Sequence, residues 1–113
     1  MKKIIIALAC AVLPFAASAG GNIDNGKALA EKANCAACHG KDYNSPIDPS
    51  YPKLAGQHQD YLAHALTAYK RGDKANGRAN AIMGAQAQNL SGQDIKDIAA
   101  YLHSLPGTLV LKR

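Results

Sequence analysis

The residues best suited to chemistry lie in one short stretch, "KANCAACHGKDY", residues 32–43. Cys35 and Cys38 are separated by two residues, and His39 follows directly. Thiol and imidazole groups at this spacing can form a redox disulfide, contribute to a zinc site or attach a haem. The rest of the sequence has to distinguish these three kinds of site.

Two of the three interpretations fit the sequence poorly. A redox cysteine pair is expected near a βαβ pattern, and no segment here alternates convincingly as a strand. Zinc needs four ligands, whereas Cys35, Cys38 and His39 offer three at most. A fourth would have to be a histidine from elsewhere, and none has a recognised spacing. The remaining histidines are His58, His64 and His103.

A covalently bound haem c uses every residue of the motif. Each of its two vinyl groups can take one thiol, and His39 then lies where its ring can coordinate the iron. Cys-x-x-Cys-His is the attachment signature of c-type haem. The sequence therefore predicts one haem c, with its iron, attached to Cys35 and Cys38 and ligated by His39.

Met83 is the candidate for the second axial ligand of the iron. It is the only methionine apart from Met1, and it follows His39 by 44 residues in the stretch "NAIMGAQA", which we expect to be an irregular loop. A soft thioether suits haem iron, although the ordinary use of methionine is to fill a core. His58 and His64 are alternatives, but both are expected on the polar side of a helix.

The first 19 residues have the pattern of a secretory signal peptide. Lys2 and Lys3 give a basic start, residues 4–17 are apolar, and Ala17-Ser18-Ala19 matches a cleavage site. We expect cleavage after Ala19, which leaves one domain over residues 20–113 in the periplasm. A retained anchor, or lipidation at Cys10, is the less favoured alternative.

The charge of the chain argues against a nucleic-acid binder. The formal charge of +5 falls to +3 when the leader, which carries Lys2 and Lys3, is removed. This is mildly basic, and no basic stripe interleaved with aromatic residues occurs. We therefore expect protein partners and no nucleic acid.

Three segments with helical periodicity predict an all-α fold. Asp24 or Asn25 is the expected N-cap of the first, Gly72 ends the second, and Ser91 with Asp94 forms a capping-box pattern before the third. The segments cover about residues 24–34, 57–71 and 92–105.

The core that these helices can form is poor in large side chains. Residues 20–113 contain no tryptophan and no phenylalanine, and alanine is the dominant apolar residue. Burial of a methyl group contributes far less than burial of a leucine side chain, at about 0.8 kcal/mol per CH₂ group. A haem would supply the missing apolar bulk.

With these motifs in order, the sequence resembles the class I c-type cytochromes of the small bacterial periplasmic kind. It is similar to one half of the bacterial dihaem cytochromes. The similarity covers nearly all of residues 22–105, but the single Cys-x-x-Cys-His predicts one haem. The similarity rests on four stretches in this order: "GKALAEKANCAACHG", "YPKLAGQHQDYLAHAL", "IMGAQAQNLS" and "DIKDIAAYLHSL".

The resemblance implies the cytochrome c fold, with three main helices and loops wrapped around one haem. It makes His39 and Met83 the axial ligands, with Pro52 accepting a hydrogen bond from the His39 ring and Leu54 packing on the haem. It also implies that Gly26 and Tyr101 meet where the first and last helices cross. The tail, residues 107–113, lies beyond the resemblance.

The function implied is that of a one-electron carrier. Because both axial positions of the iron would be filled, we do not expect an enzyme. We expect the carrier to be a monomer. A haem-bearing subunit of a periplasmic oxidoreductase complex, reaching a membrane only through its partners, is one alternative. An enzyme or gas sensor in which Met83 is not bound is the other. A basic cluster could steer an acidic redox partner, or could simply be a solvated helix end. Its residues are Lys70, Arg71, Lys74 and Arg78.

Overall fold

The computed structural model describes residues 20–108, which form five helices and no strand. The all-α prediction is therefore confirmed for this part of the chain. The predicted signal peptide, with Cys10, and residues 109–113 of the tail lie outside it. None of the helices between residues 20 and 108 is long and apolar enough to cross a membrane. The helices are α1 (Ile23–Lys32), α2 (Ala36–His39), α3 (Gln59–Arg71), α4 (Ala81–Ala87) and α5 (Gly92–Ser104).

The three long helices occupy the predicted segments, with corrections at their ends. The N-cap of α1 is Asn22, whose side chain accepts a hydrogen bond from the Asn25 N–H, so the expected caps Asp24 and Asn25 lie inside the helix. The helix stops before Asn34 because that residue adopts a positive φ of 56°. Helix α3 begins at Gln59, two residues later than predicted, and ends at Gly72 as expected.

The capping box of α5 is confirmed. The Asp94 N–H donates to Ser91 Oγ at 3.0 Å, and the Ser91 N–H donates to Asp94 Oδ2 at 3.0 Å. This reciprocal pair fixes the start of the helix that carries half of the ten buried apolar side chains.

Two short helices were not predicted, and one of them changes the interpretation of Met83. Helix α2 has four residues and α4 has seven, which is too short for an apolar period to show in the sequence. Met83 lies in α4, so the expectation of an irregular loop at "NAIMGAQA" is wrong.

The core is as poor in large side chains as the sequence suggested. Five of its ten buried hydrophobic residues are leucine, isoleucine or tyrosine, four of them on α5 or α3, and the other five are alanine. Among residues 20–108, no large side chain is completely buried. The buried hydrophobic residues are Ala30, Tyr43, Ala55, Leu62, Ala87, Ile95, Ile98, Ala99, Ala100 and Leu102.

Helices α1 and α5 cross at Gly26, where the two backbones nearly touch. A Cβ atom on Gly26 would lie 1.9 Å from the Asp97 carbonyl oxygen and 2.9 Å from Tyr101 Cβ. Only glycine allows this approach. The contact between Gly26 and Tyr101 that the resemblance implied is therefore present in the structure.

Asp97 ties the start of α1 to this crossing, a role that was not predicted from the sequence. Its carboxylate is buried and accepts hydrogen bonds from the Asn22 N–H at 2.8 Å, Asn25 Nδ2 at 2.6 Å and Gln93 Nε2 at 2.8 Å. Burial alone would raise the pKa of Asp97, but these three donors stabilise the carboxylate and bring its pKa below the ordinary value.

Substitution of Gly26 by alanine is expected to destabilise the protein by about 3 kcal/mol, because the new methyl group overlaps backbone that cannot move aside cheaply. Gly92→Ala is the matched control, since a Cβ there meets no atom within 4 Å. That variant should be unchanged or up to about 1 kcal/mol more stable. Urea unfolding followed by circular dichroism measures both, and equal stability of the two variants would contradict the close crossing.

Candidate functional site

An apolar cleft lies between α2, α3, α4 and α5 and contains the predicted site residues. It consists of two adjoining parts, which share several lining residues. Five residues line both parts and so mark its centre: His39, Leu54, Leu66, Met83 and Leu102.

The two thiols face the first part of the cleft from a single turn. Cys35 precedes α2, and the Cys38 and His39 N–H groups both donate to the Cys35 carbonyl, at 3.2 and 3.1 Å. Both cysteines are half-buried free thiols. Burial raises the pKa of the Cys35 thiol, so this side chain is neutral in the fold.

His39 is buried at the centre of the cleft with one ring nitrogen already engaged. Its Nδ1 lies 3.0 Å from the Pro52 carbonyl oxygen. A carbonyl can only accept, so Nδ1 carries the proton and Nε2 keeps its lone pair. A histidine that ligates a metal is oriented by such a contact through its second nitrogen. The contact that the resemblance implied between His39 and Pro52 is therefore present.

Met83 lines both parts of the cleft from α4, as His39 does from α2. Asn80 caps this helix, and its Oδ1 accepts hydrogen bonds from the N–H groups of Ile82 at 3.0 Å and Met83 at 2.9 Å. The sequence did contain a signal for this helix, since asparagine before "AIMG" is a favourable N-cap. The cap fixes the backbone of Met83 directly.

The other histidines do not line the cleft. His58, His64 and His103 are exposed, and the His103 ring Nδ1 lies 2.8 Å from the Gln57 carbonyl oxygen. His64 therefore lies on the exposed side of α3, as expected, whereas His58 is the exposed residue that precedes this helix. In residues 20–108, no three His, Cys, Asp or Glu side chains are grouped as they would be around a zinc ion.

The basic cluster predicted from the sequence is divided in the structure. Arg71, Lys74 and Arg78 are exposed, and the Arg78 guanidinium lies 5.5 Å from the ring centroid of Tyr69. Lys70 is instead partly buried, and its Nζ donates to the Leu90 carbonyl oxygen. Lys70 is therefore engaged within the fold rather than offered to a partner.

The cleft matches the chemistry of a haem in three respects. Its walls are mainly aliphatic, from Leu54, Leu66, Leu90, Ile98 and Leu102. Two thiols, an imidazole with a free lone pair and a thioether line the same space. Cations at the second part, Lys53 and Arg78, suit the two carboxylates that a haem carries.

Replacement of both cysteines by alanine is expected to leave a largely unfolded chain, because the alanine-rich core cannot close around this apolar cleft. The matched control is Cys10→Ala, in the predicted leader, which should fold like the natural protein. Far-UV circular dichroism and amide chemical-shift dispersion measure the difference. A cooperatively folded Cys35→Ala/Cys38→Ala protein would contradict this dependence.

Comparison with known proteins agrees with the architecture and the site. Residues 23–106 match the family described as cytochrome c. The chain is 47% identical over 70 residues to cytochrome c-554(548) of Halomonas halodenitrificans, covering 62% of this chain and 82% of that protein. It is 37% identical over 115 residues to cytochrome c4 of Stutzerimonas stutzeri, covering 96% of this chain and 53% of that protein.

A solved structure shows the same fold. The crystal structure of reduced recombinant cytochrome c4 from Pseudomonas stutzeri superimposes with a TM-score of 0.67 at 38% identity, over 79% of this chain and 48% of that one. The chain thus spans about half the length of the cytochromes c4 that it matches. Together with the family match over residues 23–106, these similarities show that the chain belongs to the cytochrome c family, whose members bind haem c covalently and carry electrons.

Proposed function

We propose that this chain is a soluble periplasmic carrier of single electrons and not an enzyme. The observation that carries the proposal is that two thiols, one imidazole and one thioether meet in a single apolar cleft. Haem c, when bound, supplies an iron that exchanges one electron with a partner protein. The residues of this chain attach that group, ligate it and exclude water from it.

Cys35 and Cys38 are the proposed attachment residues. Each thiol would add across one vinyl double bond of the haem: a carbon–sulfur bond would form, and the thiol hydrogen would go to the neighbouring vinyl carbon. Atoms balance and no oxidant is consumed. The turn that brings both sulfurs to the first part of the cleft supports this assignment.

His39 and Met83 are the proposed axial ligands, supported by their positions at the centre of the cleft. The Pro52 carbonyl orients the His39 ring and leaves Nε2 available. Leu54, which lines both parts of the cleft, would pack against the haem. With both axial positions taken by side chains, no position remains for a substrate. This is why electron transfer, rather than catalysis or gas sensing, is the function we propose.

The proposed partners are redox proteins with an acidic docking surface. The exposed cations Arg71, Lys74 and Arg78 stand on the side of the molecule where α3 ends and the chain returns toward Met83. Long-range attraction by such charges raises association rates more than affinity, and salt screens it. We propose a monomer that meets its partners transiently.

Met83→Ala is expected to abolish the weak red-edge sulfur-to-iron absorption band of the oxidised protein and to lower the reduction potential, because thioether ligation raises it. The matched control is Ile82→Ala, which alters an exposed residue of the same helix that also lines the cleft. This control should keep the band. A natural protein without the band, or a Met83→Ala protein that retains it, would refute Met83 as a ligand.

Size-exclusion chromatography of periplasmic extract tests the carrier against the alternative of a fixed subunit. A free carrier elutes as a monomer at physiological ionic strength, and association with an acidic partner strengthens when the salt is lowered. Stable co-elution with a larger oxidoreductase at high salt would instead support the subunit. Recovery of the protein only in the membrane fraction would contradict a soluble carrier.

A further inference from the structure

Helix α4, which carries Met83, has little packing of its own to hold it in place. It is seven residues long, and Ala87 is its only buried residue. Ile82, one residue before Met83, is 53% exposed. A helix this short is not stable by itself in water, and burial of one alanine adds little. Other interactions must therefore fix its position.

Hydrogen bonds at the front of α4 fix where the helix begins. Asn80 accepts from the N–H groups of Ile82 and Met83, as described above. Two residues earlier, the Arg78 N–H donates to the Ala68 carbonyl oxygen of α3 at 2.9 Å. The front of the helix is thus tied to α3 through the backbone.

The rear of α4 is held by a single residue of α3, Lys70. Its carbonyl oxygen accepts a hydrogen bond from Gln88 Nε2 at 2.9 Å, and its Nζ donates to the Leu90 carbonyl oxygen. Gln88 directly follows the helix, and Leu90 comes two residues later. We call these two bonds the Lys70 clamp. They connect the end of α4 to α3 from both the main chain and the side chain of one residue.

We propose that the Lys70 clamp is what keeps Met83 directed into the cleft, which makes Lys70 and Gln88 positioning residues for the axial thioether. The inference rests on the proposed role of Met83 as a ligand. The front bonds place the Met83 backbone, but a helix held at one end can still swing or rotate. Fastening the rear as well removes that freedom and leaves the thioether aimed at the centre of the cleft.

If the clamp holds α4 in place, the fraction of molecules in which α4 is detached can be measured. When α4 detaches, Met83 leaves its position while the α1–α5 crossing and the core of α3 remain in place. A small external ligand can bind the iron only in that open form, so its rate of binding follows the open population. Loss of one clamp bond should raise this population without unfolding the rest of the molecule.

The experiment measures the rate of cyanide binding to the oxidised holoprotein in two clamp variants. Lys70→Met removes the bond to Leu90 and keeps the bond from Gln88 to the main chain. Gln88→Ala removes the second bond. The matched controls are Lys27→Met, which removes the same charge from an exposed position outside the proposed docking surface, and Asn89→Ala, which removes the neighbouring exposed amide.

Each clamp variant should bind cyanide roughly fivefold faster than the natural protein, as expected for the loss of one hydrogen bond, and the double variant faster still. The controls should match the natural protein. In all variants the urea midpoint of the main helices should stay the same, which separates positioning from a general structural role. Clamp variants that bind cyanide at the rate of their controls would overturn the proposal.

The same measurements separate failure of the clamp from failure of the ligand assignment. If the natural protein shows the red-edge band and the clamp variants behave like their controls, only the clamp is refuted. If the natural protein lacks the band and binds cyanide as fast as Met83→Ala, Met83 is not a ligand and both proposals fall. Gln88 is exposed, so its variant keeps the test available even if Lys70→Met does not fold.

Discussion

An apolar cleft that the polypeptide cannot fill with its own side chains is the constraint on which this structure depends. Helices α1, α3 and α5 meet through alanine, leucine and isoleucine, and none of the large side chains in the described part of the chain is completely buried. A chain of this size that leaves an apolar cleft between its helices has little core of its own to stabilise it. The covalent haem of the cytochrome c family resolves this, because it adds apolar bulk at the place where the helices leave room.

Two parts of the molecule are held in different ways: a frame formed by the α1–α5 crossing, and helix α4, which carries Met83. The frame is the α1–α5 crossing, where Gly26 lets the backbones approach and the Asp97 carboxylate binds the start of α1. His39 lines the cleft together with Leu102 of α5 and is fixed by the Pro52 carbonyl. Helix α4, by contrast, has one buried residue and depends on bonds to α3 at both ends. One side of the proposed haem site is thus set by packing and the other by a few hydrogen bonds.

The long helices and the attachment motif could be predicted from sequence because their signals are local. Ser91 and Asp94 cap α5 within one turn, Gly72 ends α3, and Cys35, Cys38 and His39 are adjacent in the chain. The short helices α2 and α4 were not predicted, because four or seven residues are too few for an apolar helical period to be recognised. The place of Lys70 in the basic cluster could not be predicted for another reason. A lysine side chain can extend into solvent or reach a distant carbonyl, and the sequence does not show which of the two occurs.

The sequence by itself determined the haem chemistry of this protein. Cys35, Cys38 and His39 lie within one turn of the chain, so their side chains come together without any help from tertiary packing. Only the tertiary structure decided which distant groups complete the site. Pro52 meets His39 across 13 residues, and Lys70 meets Gln88 and Leu90 across 18 and 20. Asp97 meets Asn22 across 75. Such contacts arise from how whole helices pack, because packing brings together residues that no local pattern connects.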